Sequence, residues 1–274
     1  MKSGMKQSKS RFNLRSKSRL NGATFGVLMA FSLLLGSCTA AETPIADEAV
    51  APPPVAAAVL PSAEEMTAGL ARLNGKATAE IKVGSKVITV ELDGNSAPVT
   101  AGNFVDLAQK GVYDGTIFHR VVRSPEPFVA QGGDPQSTDP SIPINRLGTG
   151  GYVENGRERT IPLEILPVDA DEPLYGQTFP EAGLSAKPVL DHKRGAIAMA
   201  RSGVNTASSQ FYITLADVAF LDGNYAVFGY VTDGMDVVDS IRVEDVIQYV
   251  KITAGGDNLV TAAPAAEADA EAAE

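Results

Sequence analysis

One arginine set among apolar residues marks the part of this sequence best suited to chemistry. A strand-like alternation predicts that Phe118, Arg120 and Val122 share one face. A guanidinium cannot lose its proton to avoid burial, so its place among apolar neighbours is costly unless it has a use. Residues 128–134 then read Phe-Val-Ala-Gln-Gly-Gly-Asp, where the glycine pair lets the backbone turn tightly or approach a ligand. The two stretches predict a shallow apolar pocket edged by a fixed cation and the amide of Gln131.

A second group of short motifs lies downstream of the first. These motifs are Gly195-Ala-Ile-Ala-Met-Ala-Arg201, Asn205-Thr-Ala-Ser-Ser-Gln210-Phe211-Tyr212-Ile213, Phe220-Leu221-Asp222-Gly223 and Val227-Phe228-Gly229. In this order and spacing, the motifs of both regions resemble the cyclophilins, a family of peptidyl-prolyl isomerases. The resemblance covers residues 77–253. Each motif is weak by itself, and it is their common register that makes the resemblance specific.

The resemblance implies a fold, an activity and a site. The fold is mostly β, a closed eight-stranded antiparallel barrel capped by two helices. The activity is acceleration of cis–trans exchange at Xaa-Pro bonds, which needs no metal or other cofactor because no covalent bond breaks. Arg120, Gln131 and Gln210 match the catalytic positions, Arg120 as the donor and Gln210 as the amide that orients it. The matching substrate-binding positions are Phe128, Val129, Ala200, Arg201, Tyr212, Phe220, Leu221 and Tyr225.

Several positions depart from the commonest cyclophilin residues. Phe220 stands where many eukaryotic members have Trp, and Tyr225 where many have His, so the site resembles that of bacterial members. Val129 replaces a commoner Met, and Tyr212 replaces a commoner Phe, adding a hydroxyl that needs water or a partner. The segment 123–127 is longer than the usual connection between the catalytic arginine and the pocket phenylalanine.

Periodicity by itself predicts a mostly β domain over residues 76–255. Gly84-Ser85 joins the first two predicted strands as a hairpin. One predicted helix follows Ser96, taken as its N-cap, and stops at Gly111, and a second runs over 235–241. The predicted strands are 77–83, 86–92, 116–122, 128–131, 196–200, 210–215, 226–231 and 246–252.

The N-terminal region has the composition of an export signal. Residues 1–37 contain seven basic residues and no acid, with an apolar stretch too short for the ~20 residues that cross a bilayer. Cys38 follows Leu-Gly-Ser, which resembles the lipobox of bacterial lipoproteins, where such a cysteine is acylated. We therefore expect a periplasmic protein lipid-anchored through Cys38, with the outer membrane favoured because Thr39 follows. Alternatives are a retained N-terminal anchor, or plain signal cleavage giving a soluble periplasmic or secreted protein.

Composition predicts two flexible segments and excludes some partners. Residues 38–75 are rich in Ala and Pro and predict a disordered tether, and 256–274 predict an acidic, Ala-rich disordered tail. Removing residues 1–37 takes away seven of 23 basic residues and none of the 33 acids, so the formal charge moves from −10 to −17. Such acidity argues against nucleic-acid binding, which needs a basic face. Nothing in the sequence demands an oligomer, so we expect a monomer.

Other chemistries find little support. His119 and His192 are the only histidines, and no paired-cysteine or two-histidine motif predicts a metal site. We expect His119 to be packed or hydrogen-bonded within the fold and His192 to be exposed in a turn. Two functions remain: a prolyl isomerase for exported proteins, or a catalytically weak module that binds proline-containing peptides as an envelope chaperone or scaffold. The triad of Arg120 and two glutamines favours the enzyme, since binding needs only the apolar pocket.

Overall fold

A computed structural model describes residues 60–261, so the predicted signal, Cys38 and most of the predicted tail lie outside the described residues. Eight strands form one antiparallel sheet. They are β1 (Lys76–Val83), β2 (Lys86–Asp93), β3 (Phe118–Val122), β4 (Val129–Gly132), β5 (Ala196–Met199), β6 (Phe211–Thr214), β7 (Val227–Asp233) and β8 (Ile247–Ala254). All eight strands predicted from the sequence are therefore present, with ends that differ by one or two residues.

The strand order in the sheet is β8-β1-β2-β7-β5-β6-β4-β3, and every neighbouring pair is antiparallel. The β1–β2 hairpin pairs Val83 with Lys86 around a two-residue turn, as predicted. Gly84 lies there at φ +58°, in the left-handed region that glycine adopts without a steric penalty. Alternate residues of each strand point to opposite faces of the sheet. The inner face packs around the buried core of the curled sheet, and the opposite face is the outer face.

The prediction of a closed barrel is wrong in one respect, because no ladder joins the edge strands β3 and β8. Within residues 60–261, one bridge, between Ile117 and Val246, and four backbone hydrogen bonds link 115–118 to 244–247, at the start of these strands. Continuing that pairing would set β3 against residues 241–245, which form the turn after a helix, with Asp245 donating to the carbonyl of Arg242. The sheet is curled and nearly meets itself at one end.

Three helices lie in the described residues: α1 (Ala63–Thr67), α2 (Pro98–Gln109) and α3 (Met235–Ser240). The predicted N-cap of α2 is wrong, because Ala97 occupies that position and makes no side-chain cap. The buried carboxylate of Glu164 instead accepts from the amides of Val99 and Thr100, at 3.1 and 2.7 Å. Burial raises the pKa of Glu164, while these hydrogen bonds oppose that rise.

The predicted limits of the tether and tail also need correction. Ser62 and Glu65 form a capping box at the start of α1, and Leu73 is fully buried. Residues Arg72–Leu73 pair with Leu259–Val260 in a short antiparallel ladder, so both segments belong to the folded domain. Burial of Leu73 and backbone pairing offset the ordering entropy that composition alone predicted to dominate.

The interior of the curled sheet is filled by aromatic rings. Phe104 from α2 packs on Phe211 and Phe228 with ring centroids 5.4 and 5.2 Å apart, and on Tyr113 at 4.9 Å. All of these rings, with Phe118, are fully buried and belong to the core. Within residues 60–261, no helix is both long and apolar enough to span a bilayer.

The long excursion between β4 and β5 contains only short elements. It forms a small second core from Leu163, Ile165 and Phe179 against Ala226. The remaining short elements are the paired strands Val153–Glu154 with Arg157–Glu158 and Glu164–Ile165 with Leu174–Tyr175, and the 3₁₀ turns Pro135–Thr138, Ile144–Arg146, Ala219–Leu221 and Gly256–Asn258.

Candidate active site

A β-bulge sets the direction of Arg120. Phe118 pairs with Gly132 and Arg120 pairs with Gln131, so two steps along β3 match one step along β4. The extra residue breaks the alternation, and the prediction that Phe118 and Arg120 share a face is therefore wrong. Phe118 is fully buried in the core, whereas Arg120 is exposed on the outer face. Bulges of this kind commonly redirect one side chain beside a functional site.

Arg120, Gln131 and Gln210 form one hydrogen-bonded row. The Nη1 of Arg120 donates to Oε1 of Gln131 at 3.2 Å, and Nε2 of Gln131 donates to Oε1 of Gln210 at 3.1 Å. The Nε2 of Gln210 then donates to the carbonyl of Gly150 at 2.6 Å. Each amide is thus fixed in orientation by its neighbour, and the row holds the guanidinium at the edge of the sheet.

A pocket of about 210 Å³ lies beside this row on the outer face. Its lining includes nine of the eleven positions predicted for catalysis and substrate binding, namely Arg120, Phe128, Val129, Gln131, Ala200, Arg201, Tyr212, Leu221 and Tyr225. Strand alternation explains the position, because Phe211 and Ile213 face the interior while Tyr212 faces the pocket. The pocket combines apolar and aromatic side chains with the guanidinium groups of Arg120 and Arg201 and the amide of Gln131.

Phe220 is a predicted contact that does not line the pocket. It is 71% exposed and stacks on Phe128 at the rim, with centroids 5.7 Å apart. Phe128 also lies under the guanidinium of Arg120, at 5.8 Å from ring centroid to Cζ. On the opposite side, Arg201 packs over the ring of Tyr225 at 4.6 Å and donates to the carbonyl of Asn224. The rings of Phe128 and Tyr225 therefore each have a guanidinium over one face.

The longer connection over 123–127 leaves the row intact. The amide of Phe128 donates to the carbonyl of Val122 at 3.0 Å, so the two strands pair on both sides of the segment. Arg123 leaves the sheet and donates to the carbonyls of Val238 and Ile241 at the end of α3. The extra residues thus loop outwards without moving Arg120 away from Gln131.

Sequence reasoning missed Asp134, which is fully buried next to the site. Its Oδ2 accepts from the amides of Gly148 and Gly150 at 2.7 and 3.2 Å, and its Oδ1 accepts from the amide of Gln136 at 2.9 Å. Residues 148–151 are therefore held against the site, and Gly150 is buried. The available signal was the aspartate at the end of the Gln-Gly-Gly-Asp motif.

Gly133, in the same motif, is restricted by its surroundings. Its φ is +81°, and a Cβ atom would lie 2.9 Å from the carbonyl oxygen of Ser209. Ser209 in turn donates through Oγ to the carbonyl of Gly133 at 2.9 Å. The turn after β4 therefore packs backbone against backbone next to Gln210, which only glycine allows at this position.

The prediction for His192 is wrong, because this residue is buried rather than exposed. Its Nδ1 lies 2.8 Å from Oδ1 of Asp222 and its Nε2 lies 3.0 Å from the hydroxyl of Tyr212. Burial lowers the pKa of His192, although the carboxylates of Asp222 and Asp191 oppose that shift. His192 lies behind the pocket and was missed because its partners are 20 and 30 residues away in sequence.

His119 is packed within the fold, one of the two placements that we predicted. Within residues 60–261, neither of its ring nitrogens has a hydrogen-bond partner. Burial lowers its pKa, the nearby carboxylate of Asp134 raises it, and the guanidinium of Arg120 lowers it again. The ring is therefore neutral at neutral pH.

Both histidines should stay neutral below the ordinary histidine pKa of 6.5. Because folding lowers the pKa of both rings, the unfolded chain binds protons at a higher pH than the folded chain. The stability that the neutral rings provide is therefore present above pH 6.5 and is lost as the pH falls below it. We expect ring C2-proton NMR signals of His119 and His192 to show no titration with a midpoint near 6.5. With only two histidines in the chain, single replacements assign the signals. A normal midpoint for either ring would contradict its burial in the neutral form.

Fold and site together present a pocket with aromatic walls beside a fixed guanidinium on a curled eight-stranded sheet. The chain belongs to the cyclophilin-type peptidyl-prolyl cis-trans isomerase family, since residues 78–257 match the family model described as cyclophilin type peptidyl-prolyl cis-trans isomerase/CLD. This confirms the family expected from the sequence motifs.

Two sequence relatives agree with this membership. A Synechocystis protein named as a thylakoid lumen peptidyl-prolyl cis-trans isomerase is 37% identical over 209 residues, 72% of this chain. The chloroplastic isomerase CYP38 of Arabidopsis thaliana is 37% identical over 208 residues, 68% of this chain. The matches span 52% and 44% of those relatives, so this chain corresponds to about half of their length. A crystal structure of a Cryptosporidium parvum cyclophilin, 25% identical, covers 65% of this chain and 97% of its own with a TM-score of 0.46.

Proposed function

We propose that this protein accelerates cis–trans isomerisation of Xaa-Pro bonds, with the proline ring in the 210 Å³ pocket and Arg120 as the catalytic residue. The observation that supports this most is the row of Arg120, Gln131 and Gln210 at the pocket edge. Binding alone needs only the apolar walls. By contrast, an Arg120 guanidinium held by two oriented amides is needed only if negative charge or a lone pair develops on the bound peptide during the reaction.

The reaction requires little covalent chemistry. A peptide bond resists rotation, with a barrier of ~18–20 kcal/mol, because the nitrogen lone pair is delocalised into the carbonyl. As the bond twists, the prolyl nitrogen becomes pyramidal and its lone pair becomes an acceptor. A guanidinium N–H aimed at that nitrogen stabilises the twisted state more than either planar state, which is the condition for catalysis.

Arg120 has donors left for this task. A guanidinium carries five N–H groups, and within residues 60–261 the side chain of Arg120 makes one hydrogen bond, to Gln131. Its exposed position beside Phe128 leaves the remaining donors facing the open side of the pocket. The apolar walls of Val129, Tyr212 and Leu221 grip the ring while the preceding carbonyl swings through solvent.

The physiological substrates that we propose are proline-containing segments of exported proteins. The basic and apolar signal of residues 1–37 and the lipobox-like Cys38 support export and anchorage in the periplasm through an acyl chain, near the outer membrane. The relative named for the thylakoid lumen supports a compartment outside the cytoplasm. Whether Cys38 is acylated is answered by the mass of the mature N-terminal peptide.

The direct test is exchange NMR of a short Ala-Pro peptide with the full chain. Uncatalysed exchange takes tens to hundreds of seconds, so cross-peaks between cis and trans signals on a subsecond scale require a catalyst. We expect such cross-peaks at catalytic protein concentration. If the peptide signals shift on addition of protein and no cross-peaks appear, the protein is a proline-binding module instead, acting as a chaperone or scaffold.

A further inference from the structure

The ring and the hydroxyl of Tyr212 lie in different environments. Its ring lines the proposed proline pocket, while its hydroxyl points behind the pocket into a region that solvent does not reach. A buried hydroxyl without a partner costs free energy, so the position of this ring depends on what accepts its proton. The acceptor is Nε2 of His192, 3.0 Å away.

The proton arrangement around His192 follows from Asp222. A single oxygen of Asp222, Oδ1, lies 2.8 Å from both the backbone nitrogen and Nδ1 of His192, and a carboxylate only accepts. Nδ1 therefore carries the proton of the neutral ring, which leaves Nε2 as an acceptor for Tyr212. In the row Tyr212–His192–Asp222, Tyr212 therefore donates to His192 and His192 donates to Asp222.

This row connects two walls of the pocket. Tyr212 belongs to β6, whereas Asp222 directly follows Leu221, another wall residue. Backbone hydrogen bonds also connect His192 to the Leu221 turn. The amide of Val218 donates to the carbonyl of His192 at 2.8 Å, and the amide of Leu221 donates to the carbonyl of Val218. His192 thus lies behind the pocket and contacts both of the elements that shape it.

We propose that His192 and Asp222 are positioning residues that hold the Tyr212 ring and the Leu221 turn at the spacing a proline ring requires. This inference rests on the proposed function, because it assigns the pocket to proline. Without the acceptor, the Tyr212 hydroxyl can reach water only by swinging into the pocket, where it narrows the space and makes the wall polar.

A double-mutant cycle tests the proposal through peptide affinity, measured by NMR titration of the full chain with an Ala-Pro peptide. We expect His192→Leu to weaken binding about tenfold, because the orphaned hydroxyl enters the pocket. Tyr212→Phe sets the reference affinity for a pocket without this hydroxyl, and the double variant His192→Leu/Tyr212→Phe should recover that reference level, since neither polar group is left. Tyr230→Phe is the matched control, as its hydroxyl bonds Asp191 on the surface rather than the pocket row.

The outcomes separate the possible roles of His192. If His192→Leu lowers only the melting temperature, or if Tyr212→Phe fails to rescue affinity, His192 is a packing residue and the proposal is overturned. Affinity is read separately from exchange, so a native protein that binds the peptide without isomerising it overturns the proposed function alone.

A second measurement needs neither peptide nor a variant of His192. Ring ¹⁵N shifts of the native protein should show Nδ1 protonated and Nε2 as a hydrogen-bonded acceptor, and Tyr212→Phe should move the Nε2 shift towards that of a free acceptor. A ring protonated at Nε2 in the native protein overturns the proposal even if His192→Leu does not fold.

Discussion

Replacing Arg120 by alanine should reduce kcat/KM for Xaa-Pro isomerisation by a factor of about 100 or more. Removal of one preorganised donor from a site of developing charge costs about 10²–10³ in rate. The apolar walls remain, so peptide affinity should change much less than turnover. Folding should be nearly unaffected, because Arg120 is exposed and the only hydrogen bond of its side chain among residues 60–261 is with Gln131. Exchange NMR and a thermal melt of the same sample measure both effects.

Two further variants make the Arg120 result specific. Arg120→Lys keeps the charge and loses the planar fork that Gln131 orients, so activity should lie between the native and alanine levels. Arg157→Ala removes an exposed arginine of the Val153–Glu158 hairpin, outside the pocket, and should leave kcat/KM unchanged. An Arg120→Ala protein that keeps most of its activity would show that the pocket alone lowers the barrier.

Replacing Asp134 by alanine should lower the free energy of unfolding by about 3 kcal/mol and also impair catalysis. Its carboxylate is the acceptor for three backbone amides, two of them from Gly148 and Gly150, and buried donors left without an acceptor cost about 1–3 kcal/mol each before relaxation. Release of the Gly148–Gly150 segment also frees the carbonyl that holds Gln210. Urea unfolding measures the stability, and the exchange assay measures the activity.

Asp139 is the matched control for Asp134. It lies in the same segment and also accepts from a backbone amide, that of Ser141 at 2.8 Å, but it is exposed. Asp139→Ala should therefore cost less than about 1 kcal/mol, because water replaces the lost acceptor. Asp134→Asn, which keeps one acceptor oxygen, should fall between the two. Equal losses for Asp134→Ala and Asp139→Ala would show that the buried carboxylate has no special role.

The sequence predicted the strands well because alternation is a local property. Each of the eight strands carries its own period of two, and the Gly84–Ser85 turn needs only the two residues between its strands. The site residues came from motif order, and the structure places nine of those eleven around one pocket. The family resemblance supplied what periodicity by itself left open, namely which residues form the site.

What could not be predicted depends on contacts between distant parts of the chain. The bulge at His119 is visible only once β3 and β4 are paired. The cap of α2 comes from Glu164, 64 and 65 residues beyond the amides it binds, so Ser96 was the reasonable local choice. The exposure of His192 was predicted wrongly because the polar residues around it in sequence do not indicate that Tyr212, 20 residues away, packs against it.

The short ladder between Arg72–Leu73 and Leu259–Val260 has a consequence for engineering. It sets the chain just after α1 beside the point where the chain leaves the domain. A short linker therefore suffices to join the two ends, and new termini opened at the Gly84–Ser85 turn lie at the end of a hairpin, away from the pocket. The domain is thus suited to circular permutation, and to insertion as a cassette into a loop of another protein.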